Sequence, residues 1–307
     1  MRASFITGGL CAVLAALTLG CAGDPEPEGG KAPASTAAVG TGEGGLEAVS
    51  FAEAQEAGES RILVHYVPSS GFAGEGRDGE LTGVTIELLR KFARFVEDAH
   101  GIEMEVDFIP EERWADFYER VRRSRGGVFG IGNVTITESR RDEITFSPPY
   151  LSNVATLMTH EEVPELEALD EVGETFAGLI GLSYPGTLHE ERLDELRRAH
   201  FPEMETVPVE SNDELVGRAA SGGYFGFIDI YNYWRAVEDG LPLRRHSVAD
   251  DDSEEFGVIM PRDSDWAPVV DAFFGANEGV QGTDWYRELL QEHLGDELAR
   301  LLQGEDH

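Results

Sequence analysis

From Arg61 onward the chain alternates between two hydrophobic periods. Ile62-Leu63-Val64 is a short apolar run that predicts a strand. The following segment, 82–96, has helical spacing: Leu88, Phe92, Phe95 and Val96 fall on one face, with Ile86 and Leu89 beside them. A strand is expected over 104–108, a helix around 114–121 and a strand over 128–134. Further strands are expected over 154–158, 179–182, 206–209 and 225–230, and helices over 188–199, 213–220 and 266–274. Strands separated by helices of about ten to fifteen residues indicate α/β units around mostly parallel sheets. A length of 307 residues leaves room for two lobes at about 100–200 residues per domain.

Before residue 61 the pattern is different. Arg2 precedes an apolar stretch, 5–19, that is short for a membrane span and ends in Leu17-Thr18-Leu19-Gly20-Cys21. Both cysteines, Cys11 and Cys21, lie here, so the body has no disulfide framework, cysteine metal site or cysteine nucleophile. The segment resembles a bacterial lipoprotein signal, in which cleavage before Cys21 exposes a thiol for lipid attachment; an ordinary secretory signal is the alternative. Residues 1–20 are then the signal peptide and 21–60 a lipid-anchored flexible tether. Its Pro-, Gly-, Ala-, Ser- and Glu-rich part, to about residue 45, holds too little apolar surface to offset ordering entropy. One short helix is expected within 46–58. No later run approaches the ~18 apolar residues of a span. The expected location is extracytoplasmic, in the periplasm, lipid-anchored to a cell membrane.

Charge narrows the partners. Lys plus Arg total 24 against 59 Asp plus Glu, a formal net charge of −35. Nucleic acids need a basic footprint, and anionic lipid surfaces repel such a protein, so membrane contact is expected through the anchor only. The acidic run at 250–255, DDDSEE, is expected as a solvated loop; a calcium site is the alternative, disfavoured because EF-hand spacing is absent. There is no G-x-S-x-G elbow, HExxH pair or Walker loop, and the glycines of 126–132 lack dinucleotide spacing. The eight histidines are scattered, and His65 beside a strand reads as structural. No cofactor, metal or catalytic residue is expected.

The informative segment is 133–150, NVTITESRRDEITFSPPY. A strand ends at Val134 and gives way to the polar turn Thr135-Ile136-Thr137-Glu138-Ser139-Arg140. Hydroxyls, amides and a guanidinium converging at a strand end suit a carboxylate, which accepts two parallel bonds from an arginine fork. The competing reading is a capped helix start, with Arg140 and Arg141 paired to Asp142 or Glu143 at the surface.

T-I-T-x-x-R followed by F-S-P-P-Y resembles the signature of family 3 extracellular solute-binding proteins, type II periplasmic binding proteins that serve ABC importers of polar amino acids. The resemblance runs from about Arg61 to Leu302. It takes in Gly79–Leu88 (GELTGVTIEL), Trp114, Gly178–Glu190 (GLIGLSYPGTLHE), Gly226-Phe227-Ile228-Asp229 and Phe256–Pro261 (FGVIMP). It implies two α/β lobes, each a mixed, mainly parallel sheet flanked by helices, joined by two crossover strands. Lobe 1 would be 61–153 plus 256–303, and lobe 2 would be 154–255.

Carried onto this chain, the resemblance implies that Thr135 and Arg140 hold a ligand carboxylate. Thr187 would add an amide at a helix start, and Asp229 from the opposite lobe would take an ammonium. The alternative for Asp229 is a helix N-cap ahead of 231–237, which is compatible with ligand contact. Tyr66 or Phe72 would pack on the ligand body, or belong to the core. The implied partner is an ABC permease, and the protein is expected as a monomer. The loop 65–72 lacks the family's acidic residue and Pro-Phe pair, the strand before Thr135 lacks the usual Asp, and Tyr224-Phe225 replaces an Asp-Ala pair. These departures leave room for a less polar or larger ligand than glutamine or glutamate. Two alternatives use the same fold: a periplasmic dehydratase, with Glu87 or Glu138 as the acid, and a ligand sensor for a partner other than a transporter.

Overall fold

A computed structural model describes residues 45–76, 78–275 and 279–303. Signal peptide, Cys21 and most of the expected tether lie outside the described residues. The first elements are α1 (Phe51–Ala57), β1 (Glu59–Tyr66), β2 (Gly74–Glu75), β3 (Leu81–Thr82), α2 (Val84–His100), β4 (Glu103–Pro110), α3 (Trp114–Arg123) and β5 (Val128–Thr135). Next come α4 (Glu138–Arg141), β6 (Ile144–Phe146), β7 (Leu151–His160), α5 (Val172–Thr175), β8 (Ile180–Ser183), α6 (Leu188–His200), β9 (Thr206–Pro208) and α7 (Asn212–Ala220). The chain closes with β10 (Tyr224–Asp229), α8 (Ile230–Glu238), β11 (Leu243–Pro261), α9 (Ala267–Gly275), α10 (Asp284–Leu294) and α11 (Asp296–Leu302).

One sheet carries the fold, in the order β4-β1-β5-β11-β7-β10-β8-β9, with β6 also paired to β11. Each flank is parallel: β1 with β4 and β5, and β8 with β9 and β10. The two central strands, β11 and β7, run antiparallel to each other and to their outer neighbours β5 and β10. They are the crossovers between the halves of a two-lobe, mixed α/β fold. The 19-residue β11 shifts register against β7 between His246 and Asp251 and again before Glu254, where the strand bends between the halves.

The acidic run at 250–255 is therefore not a loop. It lies inside β11, and arginines accompany it: Asp250 accepts from Arg245 and from Thr156 Oγ1 (2.6 Å), while Asp251 accepts from Arg192 at 2.8 Å. These partners hold Asp251 near 2 against the upward pull of burial, through hydrogen bonds from Arg192 and Ser253. Among the described residues no group of three or more His, Cys, Asp or Glu is placed to hold a metal ion, and no helix is long and apolar enough to cross a membrane.

Residues 45–60 are stitched to the body. Ser50 and Glu53 form a capping box on α1, Leu46 N donates to Ser124 Oγ at 2.9 Å, and Trp266 Nε1 donates to the Val49 carbonyl at 3.0 Å. Trp266 is fully buried among Phe92, Phe129 and Phe51. The amphipathic face expected for α2 builds the same core, as Ile86, Leu88, Leu89, Phe92 and Val96 are all buried. A second cluster joins Phe117, Val121, Val134 and Ile144 to Leu182, Leu215 and Ile228, so it spans both halves of the sheet. The turn from β8 into α6 closes this contact. Gly186 (φ 80°) turns there, and a Cβ built on it would sit 3.5 Å from the Ala115 Cβ of α3.

The glycines of β5 have a packing reason too: α3 lies directly on the strand. A Cβ at Gly132 would meet the Phe117 ring at 2.7 Å, and one at Gly130 would meet Ile259 at 2.7 Å and Val121 at 2.9 Å. Gly132→Ala should therefore overpack this contact and lower stability by about 1–3 kcal/mol. Denaturant titration checks it; an unchanged midpoint would show that α3 is free to shift.

Buried His246 supplies a pH dependence. Its Nδ1 accepts from Leu166 N at 3.1 Å and its Nε2 meets Thr159 Oγ1 at 2.8 Å. Burial, with help from Arg244, pulls its pKa from 6.5 to about 4. The folded value lies below the unfolded one, so this contribution is complete above pH 6.5 and is lost as pH falls toward 4. The apparent Tm should drop across that window, and His246→Gln should show a smaller drop. Parallel pH profiles of the two proteins would refute the assignment.

Candidate functional site

The parallel strands end on one side of the sheet, and their C-terminal ends converge. Beyond β1 come Val67, Pro68 and Ser69; beyond β4, Trp114; at the end of β5, Gly132, Asn133 and Thr135; beyond β8, Tyr184 and the Thr187–His189 start of α6. Beyond β9 comes Asn212, and at the end of β10 come Asp229 and then Tyr231. With Arg140 and Glu254 they enclose a cavity of about 50 Å³ between the two halves. This is the crevice that open α/β sheets use for ligands.

Arg140 dominates one wall. Both readings of its segment are partly realised, because Thr137 caps α4 by accepting from Arg140 N at 3.2 Å, and Arg141 lies 3.9 Å from Glu138 at the surface. Arg140 itself turns into the cavity. Its guanidinium donates to the Thr135 carbonyl at 3.0 Å and lies over the rings of Trp114 (4.9 Å) and Tyr118 (5.7 Å). Trp114 and Tyr118 stack at 5.3 Å, and Trp114 Nε1 donates to the Gly132 carbonyl at 3.3 Å. No carboxylate among the described residues comes within 4.0 Å of Arg140. Burial pulls its pKa below the ordinary guanidinium value, a shift that Tyr118, Glu191 and Glu254 partly offset.

The opposite wall is acidic. Asp229 occupies the N-cap position of α8 but makes no side-chain cap bond, so its carboxylate is directed elsewhere. It is 8% exposed, accepts from Asn153 Nδ2 at 2.6 Å, and lies 3.4 Å from His189 Nε2. The same Asn153 Nδ2 donates to Glu254 Oε2 at 2.6 Å, and Glu254 Oε1 is paired with Arg192 of α6. Burial and Asp229 together raise the Tyr184 phenol to about 12, so it stays neutral.

The third wall is held from behind. Asn133, with φ of 51°, is the only non-glycine residue at positive φ among the described residues. Its Nδ2 donates to Tyr231 Oη at 2.7 Å and its Oδ1 accepts from Tyr150 Oη at 2.8 Å. A left-handed residue costs backbone energy, which Asn bears better than most. Here both ends of the amide are used to fix two buried tyrosines.

The structure thus gathers Thr135, Arg140, Thr187 and Asp229 around one cavity. Thr187 is at the N-cap of α6, but its hydroxyl donates to the Tyr184 carbonyl at 2.7 Å, which leaves the site the helix amides rather than the side chain. Tyr66 and Phe72 are not among the lining residues. Tyr66 ends β1 and packs on the core; Phe72 is buried, 4.6 Å from the Tyr231 ring, and reaches the cavity only through it. Asn133, Tyr184, His189, Asn212, Tyr231 and Glu254 were not anticipated. Glu254 was hidden in an acidic run, and Asn153 behind it sits in an apolar strand. His189, two residues past the G-T turn at Gly186-Thr187, was the one with a readable position.

Residues 63–295 match the family of bacterial extracellular solute-binding proteins, family 3. Among curated proteins, the membrane-bound lytic murein transglycosylase F of Pseudomonas fluorescens strain Pf-5 is 26% identical over 176 residues, which is 52% of this chain and 34% of that protein. The chain therefore spans about a third of the length of the curated relatives it matches. Among solved structures, an ancestral arginine-binding protein bound to arginine superposes with a TM-score of 0.61 at 15% identity, covering 76% of this chain and 98% of that one. The arginine-, lysine-, histidine-binding protein of Geobacillus stearothermophilus gives 0.59 at 18% identity, covering 79% and 99%. With the match extending over most of the chain and the type II fold shared, this protein belongs to the family 3 extracellular solute-binding proteins.

Proposed function

We propose that the protein captures a small zwitterion, an amino acid or a close relative, between its two lobes and delivers it to an ABC permease. The observation that carries this reading is a pair of opposite charges in one cavity, Arg140 half-buried and Asp229 buried with the His189 imidazole 3.4 Å away as its basic neighbour. Arg140 has no carboxylate partner, and Asp229 has no arginine or lysine partner among the described residues. An uncompensated buried charge is costly, and a ligand bearing a carboxylate and an ammonium relieves both at once. The two charges come from opposite halves of the sheet, so their relief requires the closed arrangement, and affinity is linked to closure. On this reading residues 61–153 with 256–303 form one lobe and 154–255 the other. Lipid attachment at Cys21 would keep the receptor beside its permease, outside the cytoplasm.

We propose binding without catalysis. A dehydratase needs an acid against its leaving group. Glu87 is tied to Thr82 and Arg90, the side chain of Glu138 is 98% exposed, and neither lines the cavity.

Two measurements test the charge assignment. In calorimetric titrations against the common amino acids, Arg140→Ala should weaken the best ligand at least tenfold, because removing one partner of a buried charge pair costs about 2–5 kcal/mol. An unchanged Kd sinks the assignment. The des-amino analogue of that ligand should bind more weakly than the amino acid, and Asp229→Asn should shrink the gap. A gap of the same size in the variant would place the ammonium elsewhere.

A further inference from the structure

We propose that Arg235 of α8 is a latch between the two lobes, fastening the arrangement in which Arg140 and Asp229 face one cavity and so setting how long a bound solute is held. The inference rests on the capture reading above and adds the device that keeps the lobes together. By the division proposed there, α8 belongs to the lobe of 154–255, yet both hydrogen bonds of the Arg235 side chain leave that lobe. One goes to Ser70 Oγ, in the loop after β1. The other, at 2.5 Å, goes to the His293 carbonyl in the last turn of α10.

The choice of partners is informative. Glu238 and Asp239 follow Arg235 at the spacing at which an arginine ordinarily pairs along its own helix. They reach it only through space, and no carboxylate among the described residues hydrogen-bonds it. The guanidinium instead takes the end of α10, where the last carbonyls lack helix partners and the dipole favours a cation. Charge-assisted bonds of this kind are the stronger ones.

The receiving surface is shaped for the guanidinium. Gly71, between Ser70 and Phe72, has φ of 79°, and a Cβ there would lie 2.4 Å from Arg235 Nη2 and 2.8 Å from the His293 carbonyl oxygen. Only a glycine lets loop, guanidinium and helix end meet. The loop is itself tied to its own lobe: Val84 N donates to the Gly71 carbonyl at 2.9 Å, and Thr85 Oγ1 to the Phe72 carbonyl at 2.8 Å. Arg235 therefore grips a fixed part of the opposite lobe.

The same helix runs from the cavity to the latch. Asp229 at its start and Tyr231 in its first turn line the cavity, and the Tyr231 ring lies 4.6 Å from that of Phe72. Arg235 is one turn beyond Tyr231 on the same face. Ser69, beside Ser70, lines the cavity from the other lobe, whereas Arg235 is not among the lining residues. Loop 69–72 and α8 thus meet twice, once at the cavity wall and once outside it. A bond made only when the lobes meet adds its free energy to the closed state alone, so it tightens binding without touching the solute.

The test is calorimetric titration and stopped-flow dissociation with the common L-amino acids, on the unaltered protein, Arg235→Ala, Ser70→Ala and the double variant. Arg235→Ala should raise the Kd of the tightest amino acid about tenfold, through a faster koff with kon nearly unchanged. The order of preference among amino acids and the des-amino gap should stay as they were. Ser70→Ala, on an exposed position, should change koff in the same direction, and the double variant should add little to Arg235→Ala. An unchanged koff in both single variants overturns the latch, as does an altered order of preference, which would mean that Arg235 acts on the solute itself. The capture reading is judged separately, by loss of binding in Arg140→Ala. If no amino acid binds the unaltered protein, that reading falls and small-angle scattering of the ligand-free proteins judges the latch: a larger radius of gyration in Arg235→Ala supports it and an equal one overturns it. Should Arg235→Ala fail to fold, the same measurements on Ser70→Ala decide.

Discussion

A half-buried guanidinium without a carboxylate partner is the constraint around which the site is organised. Arg140 cannot lose its charge, so the protein must make an unpaired cation tolerable. It does so with the Thr135 carbonyl and with two aromatic faces from α3, a helix whose close approach to β5 depends on Gly130 and Gly132. The glycine-rich strand, the stacked Trp114 and Tyr118 and the turn at Thr137 are thus parts of one device. Each places the guanidinium at the mouth of the sheet, and none neutralises it.

The opposing carboxylate is treated in the same way. Asn153 on β7 divides its two amide hydrogens between Asp229 and Glu254, and Arg192 takes the other oxygen of Glu254. One crossover strand supplies the asparagine and the other the glutamate, so Asp229 is oriented by both strands that join the halves. Arg192 also belongs to α6, the helix whose first turn lines the cavity. A displacement between the halves therefore changes the surroundings of Asp229, α6 and β11 together. On the proposed reading, this is how ligand charge is converted into lobe position.

Much of this was legible in the residues, for physical reasons. The α2 face and the strand-helix alternation were readable because burial imposes a period. The polar turn after β5 was readable as either a carboxylate cradle or a capped helix start, and its hydroxyls and arginines serve both, Thr137 capping α4 while Arg140 faces the cavity. Other features were hidden by their context. The run at 250–255 reads as a solvated loop because six consecutive polar residues rarely sit in a central strand. It does so here because Arg192, Arg245, Asn153 and Thr156, none of them adjacent in sequence, supply the partners. For Tyr66 and Phe72 it is the core alternative that the structure realises. An aromatic residue near a strand end suggests a ligand contact, yet Phe72 supports Tyr231, which lines the cavity in its place.

The overall charge of −35 acquires a different meaning beside this site. Acidity on that scale excludes polyanionic partners and sets a repulsive far field for any anionic solute. A solute with a net negative charge would have to cross that field to reach Arg140. A zwitterion carries no net charge and meets only the local gradient, in which Arg140 attracts one end and Asp229 the other. The two charges line one cavity, where water is thin and screening weak. The field of the surface and the field of the cavity thus select on different properties of the solute. On the proposed reading, the surface discriminates by net charge and the cavity by the separation of charge.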